Sequence, residues 1–229
     1  MKIEKHINNK LLIASILLLL FSSTVFTACN NAEKAKEDYK TLTKIQDQKL
    51  AALESWGNKV LDGGTFDEKI EVLTEYTNLG EFKAEMAFKL SAELRKDAEA
   101  EFEKGNLAEA YELAKKIFTG MALPENVGLL VKVAKPYSKA SFDKKDYINA
   151  KESAAKVLEL YWDEEAMGMR LAAEFELLKI NLEDNIPEAQ KYYDDIMDVT
   201  SLKGNENLAK TYREKTKKYS DKFPQSKFK

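Results

Sequence analysis

Phe102-Glu103-Lys104-Gly105-Asn106-Leu107-Ala108-Glu109-Ala110 is answered forty residues later by Phe142-Asp143-Lys144-Lys145-Asp146-Tyr147-Ile148-Asn149-Ala150. In both, an aromatic residue closes an apolar-periodic stretch, a polar turn follows, and a second periodic stretch opens. The second stretches read Leu107, Ala110, Ala114, Ile117, Phe118 and Tyr147, Ala150, Ala154, Val157, Leu158. A third, Ile186, Ala189, Tyr193, Ile196, Met197, follows after Asp184-Asn185. The common spacing of 3, 4, 3 and 1 places each set on one stripe of a helix. The stretches before the turns, 82–102, 127–142 and 167–182, are helical by the same criterion. The unit is therefore helix, tight turn, helix. A small alanine in the stripe lets two antiparallel helices approach closely. One such hairpin cannot bury its apolar face alone, and stacking neighbours solves that. The spacing predicts an all-α chain of stacked antiparallel helical hairpins, with about eight or nine helices beyond residue 28.

These turn segments resemble the turns of tetratricopeptide repeats (TPRs), with Asn181 to Ala189 as a looser third copy that carries Pro187 in the first turn of its second helix. The resemblance covers residues 81–203, with a period of 39–40 in place of the usual 34 or so. It implies a TPR-like α-solenoid whose first helices line a concave groove and whose use is protein–protein interaction.

Upstream, Tyr39, Leu42, Leu50, Leu53, Trp56 and Val60 fit one face of a helix that ends at Asp62-Gly63-Gly64. Phe66, Ile70, Leu73 and Thr77 form a second helix that stops near Gly80, so 37–80 reads as an N-terminal helical hairpin. Downstream, 204–229 reads as a capping helix, about Asn205 to Lys222, and a basic tail. Phe223-Pro224 ends that helix and 225–229 are expected to be loose. Trp56 and Trp162 are expected to pack between helices, and Met167 and Met169 to fill core.

The first 28 residues read as a secretory signal. Lys2, Lys5 and Lys10 precede the uncharged run Leu11 to Phe26, which at sixteen residues is short of the roughly 20 that span a bilayer. Phe26-Thr27-Ala28-Cys29 resembles the lipobox of bacterial lipoproteins. That resemblance implies cleavage before Cys29, acylation of Cys29, and a lipidated tether over 29–36. Several acyl chains anchor stably, since each buried CH₂ contributes about 0.8 kcal/mol. The implied location is outside the cytoplasm: an outer membrane, facing periplasm or surface, where the cell has one, otherwise the outer face of the cell membrane. Asn30 in place of Asp mildly favours the outer membrane.

Loss of 1–28 removes the single His and leaves 33 basic and 38 acidic residues, and the single Cys is Cys29. A Ser-His-Asp set, a Cys-His set or a His-ligated zinc is then excluded from the mature chain. With 44% hydrophobic residues and only 9 Gly and 4 Pro, the chain is neither wholly disordered nor a loop-rich β sandwich. No Ca-loop pattern or phosphate-cradling Gly loop occurs. Glu152-Ser153 is similar to the Glu-Ser pair of lytic transglycosylases, but no Gly-Leu-Met-Gln segment follows. Asp163-Glu164-Glu165 sits where a helix starts and reads as capping. No cofactor, metal or nucleic-acid partner is expected, and no enzymatic activity.

The candidate partner-binding residues are Lys132, Lys135 and Lys139, a basic stripe on one helix face, with Arg95 on the preceding first helix. Such a row can hold the carboxylates of a peptide, and equally can be a solvated face. Charge is uneven: 204–229 carry eight basic and three acidic residues, against a net −10 over 29–203. The expected function is a lipid-anchored, non-catalytic scaffold that binds a protein or peptide. The alternatives are an accessory lipoprotein of envelope assembly, or a binder of a small molecule or glycan in the groove.

Overall fold

A computed structural model describes residues 34, 36–38, 40–201 and 206–228. The signal 1–28 and Cys29 lie outside the described residues; of the tether 29–36, residues 34 and 36 are described and helical. The chain divides into two compact units, Met1–Ser55 and Trp56–Lys229. In the first, residues 40–55 are helical. Leu42 and Ile45 are 65% and 44% exposed there, so Leu42 does not serve the buried face that its spacing suggested.

The second unit runs α1 (56–63), α2 (Phe66–Asn78), α3 (Glu85–Glu103), α4 (Leu107–Gly120), α5 (Pro124–Asp143), α6 (Tyr147–Leu160), α7 (Glu164–Asp184), α8 (Ile186–Ser201) and α9 (Glu206–Lys217), then a 3₁₀ turn, Ser220–Lys222. No strand occurs among the described residues, and the chain is all-α.

Some helix starts are fixed by side chains that satisfy the orphan amides of a first turn. Thr65 and Glu68 form a reciprocal capping box at α2. The Asp146 carboxylate accepts from Asn149 N at α6, and that of Asp163 from Ala166 N at α7. The quoted nonapeptides fold alike. At the first turn Gly105 N donates to Phe102 O and Asn106 N to Glu101 O; at the second Lys145 N donates to Phe142 O and Asp146 N to Ser141 O. Both are helix-ending motifs that need a left-handed residue. Gly105 provides it at φ 80°, whereas in the second copy Lys145 adopts φ 63° against its Cβ.

Behind each turn the alanines are buried as their spacing requires. Ala110, Ala150 and Ala189 are all completely inaccessible, as are Ala114, Ile117, Val157 and Ile196. Consecutive helices pack on each other from α2 to α9. Next-but-one contacts join α2 to α4, α3 to α5, α5 to α7 and α7 to α9, while no comparable contact joins α4 to α6 or α6 to α8. A buried polar cluster ties α3 to α5: Ser91 Oγ donates to Asn126 Oδ1 at 2.7 Å, and Asn126 Nδ2 donates to Met121 O at 2.8 Å. At the other end of the unit, α1 meets α3 so closely that a Cβ on Gly57 would come within 2.6 Å of Met86 Cγ.

Three expectations are corrected. Residues 225–228 are not loose. Phe223 is completely buried among Tyr193, Ile196 and Leu178, and Ser226 Oγ donates to Asp194. Tyr193 Oη donates to Phe228 O, and Lys227 pairs with Asp198 at 3.1 Å. The apolar Phe223 overrides the local signal of Pro224 because fully burying such a side chain is worth about 1.5–3 kcal/mol. The helical spacing of the cap also breaks: α9 ends at Lys217, short of Lys222. Trp162, in turn, is 54% exposed. It follows Tyr161, whose extended backbone (φ −164°, ψ 165°) carries the chain out of helical register before α7 begins.

Candidate functional site

The residues of the proposed basic stripe are each engaged within the fold. Arg95 Nη1 donates to Ser91 Oγ and to Asn126 Oδ1, both at 2.9 Å, so it belongs to the α3–α5 cluster. Lys132 reaches Glu99 of α3 at 3.4 Å and lies over the Phe102 ring. Lys135 bridges to Asp163 at 2.9 Å and Glu165 at 2.7 Å, which pins α5 to the start of α7. Hydrogen bonding to Glu165, then to Asp163, holds the Lys135 ammonium well above its usual pKa. Burial alone would raise the Asp163 carboxyl, but bonds from the Ala166 amide and Lys135 keep it below the ordinary value. Lys139 pairs with Asp143 one turn on, at 3.0 Å. A partner carboxylate arriving here would have to displace an internal one. The stripe reads as a row in the sequence because neither Glu99 nor Asp163 is adjacent to it along the chain.

The even helices leave a different concavity, of about 600 Å³, where the missing α4–α6 and α6–α8 contacts would have been. That is within the range of ligand pockets, about 300–1,000 Å³. It is lined by Tyr111 and Lys115 of α4, by Lys151, Glu152 and Leu158 of α6, and by Asp195 of α8. From α7, Arg170 and Glu174 line it as well. Tyr111 stacks on Tyr137 at 4.9 Å between centroids, and burial pushes its hydroxyl pKa up to about 12.

Glu174 is the unusual member. Its side chain is 1% exposed, Arg170 Nε donates to Oε1 at 2.9 Å, and Oε2 has no hydrogen-bond partner. Burial raises the carboxyl above its ordinary pKa, against the pull of Arg170; Asp195 adds to the rise and Lys151 opposes it. A buried carboxylate normally finds partners for both oxygens, since desolvating an unpaired one costs several kcal/mol. Sequence reasoning passed over Glu174 because Ala173-Glu174-Phe175 reads as mid-helix. Only the Arg170–Glu174 spacing of four hinted at a pair.

A second concavity of about 730 Å³ lies between α8 and the C-terminal segment, lined mostly by exposed side chains such as Pro187, Lys191 and Lys222. Among the described residues no group of three or more His, Cys, Asp or Glu is placed to hold a metal ion, and no helix is long and apolar enough to cross a membrane. No family model, curated protein or solved structure matches the chain.

Proposed function

We propose that the chain is a lipid-anchored, non-catalytic scaffold of the cell envelope, whose stacked TPR-like hairpins hold a partner protein or peptide. The observation that carries this reading is the repeated hairpin: two turns forty residues apart with matching backbone hydrogen bonds, each followed by a fully buried alanine. Hairpins joined this way extend by adding copies, which supplies surface along the stack rather than a single chemical centre. The interaction surface is assigned to the trough between α4, α6 and α8, because the lysines of α5 already hold internal carboxylates. The anchor rests on the apolar run 11–26 and on Cys29.

Ala155 lines the trough and is half-buried, so Ala155→Arg fills it without entering the core. Crosslinking pull-down from intact cells should recover a partner with the wild-type chain and lose it with Ala155→Arg at unchanged helicity. A set of crosslinked proteins identical for both chains would sink the scaffold reading at this surface. Labelled palmitate should enter the wild-type protein and not Cys29→Ala; label retained in that variant removes the anchor.

A further inference from the structure

We infer that the trough over α7 is a binding site for the basic side chain of a peptide, with Glu174, Asp195 and Glu152 as the carboxylates that receive its ammonium or guanidinium group. This deepens the scaffold reading and rests on it. Charge in this chain follows a regular pattern. Lysines are answered by a glutamate three residues earlier: Lys96 by Glu93, Lys104 by Glu101, Lys115 by Glu112, Lys179 by Glu176 and Lys191 by Glu188. Within the trough, Lys115 is therefore taken by Glu112, Lys156 by Glu159 at 2.7 Å and Arg170 by one oxygen of Glu174.

What remains unmatched is acidic. Glu152 and Asp195 take part in no ion pair among the described residues, and Glu174 Oε2 is buried without a partner. Among the described residues lining the trough, Lys151 is the cation without an ion pair; it faces Glu174, and its Nζ lies 5.3 Å from the centroid of the Tyr192 ring. The unsatisfied groups thus come from α6, α7 and α8 and line one trough. The missing element is a cationic hydrogen-bond donor, which a lysine or arginine side chain supplies. A peptide, rather than a free amine, suits the lining next to them, since Tyr111, Ala155 and Leu158 offer apolar contact to the neighbouring residues of an extended segment.

The site has a pH signature. Glu174 is raised above its ordinary value of 4.5, and the groups that face it are Arg170 on its own helix, Lys151 from α6, and Asp195 and Tyr192 from α8. A carboxylate, not a carboxylic acid, receives an ammonium group. Affinity should therefore strengthen as pH rises through the titration of Glu174.

The test uses the full chain in detergent micelles and a fluorescent, end-blocked decapeptide of alternating Ala and Lys, followed by anisotropy. The comparison probes are the same peptide with Glu for Lys, and free spermidine. The lysine peptide should bind, and the glutamate peptide should not. Glu174→Gln and Asp195→Asn should each weaken binding about tenfold, and the exposed Glu152→Gln should weaken it less. Glu103→Gln, outside the trough, should leave it unchanged. In Glu174→Gln the rise of affinity with pH should flatten. Equal binding of both peptides overturns the inference, as does full-strength binding by both Asp195→Asn and Glu152→Gln, which alter accessible groups and leave the core intact. Spermidine competing as tightly as the peptide overturns the peptide occupant. A cellular partner that is lost on Ala155→Arg, combined with no preference for the lysine peptide, sinks this inference while the scaffold reading stands. Selective binding of the lysine peptide with no such partner in cells does the reverse.

Discussion

Two residues carry local cost in this fold. Lys145 holds a left-handed conformation at φ 63° where its counterpart forty residues earlier is Gly105 at φ 80°. The left-handed region costs an L-residue roughly 1 kcal/mol, and glycine nothing. Lys145→Gly should raise stability by about 0.5–1 kcal/mol and Gly105→Ala should lower it by about 1 kcal/mol, both read from urea midpoints at constant slope. Glu174 pays in charge. Its folded pKa lies above the unfolded value, so between the two the folded chain binds more protons than the unfolded one. Its favourable contribution is complete below the ordinary value of 4.5 and is lost as pH rises through the raised value. The melting temperature should accordingly fall over that window, and the Glu174→Gln variant should lack that part of the slope. A wild-type curve that rises there in step with the variant would contradict the burial argument.

At the scale of helices, the close-contact alanine sets the spacing of each hairpin. Ala110 and Ala150 are completely buried, and Leu at either adds three heavy atoms where none fits. Overpacking of this kind typically costs about 1–3 kcal/mol. Ala110→Leu and Ala150→Leu should each lower thermal stability by that amount, whereas Ala108→Leu, in the same helix but exposed outside the stripe, should change it by less than about 0.5 kcal/mol. The pairing Lys135 makes with Asp163 and Glu165 belongs to this scale too, because it fastens one helix to the start of the next but one. Reversing that lysine acts on the α5–α7 contact before it acts on any partner.

Across the second unit, each helix from α2 onward packs on its sequence neighbour, and next-but-one contacts join only some of them, so disturbance should stay near its origin. Phe223 is the sharpest probe, since it is fully buried against α7 and α8 and far along the sequence from α3 and α4. Phe223→Ala should cost about 3–4 kcal/mol. Hydrogen exchange should then accelerate in α8 and α9 first and in α3–α4 last. Uniform acceleration across all helices would show that the second unit unfolds as one body.

Read alone, the residues determined the helical class, the two hairpin turns, the burial of Ala110, Ala150 and Ala189, and the cap at Asp163. Each depends on neighbours within about four positions, and so is written in spacing. Tertiary structure alone decided where the charges go. Lys132 and Lys135 lie 33 and 28 residues from Glu99 and Asp163, and Phe223 docks on side chains that precede it by about 27 to 45 residues. The same holds for Glu174, an ordinary glutamate in its helix until packing buries it. Periodicity says which face of a helix is apolar, but the partner that satisfies or abandons a polar atom on that face is set only by packing.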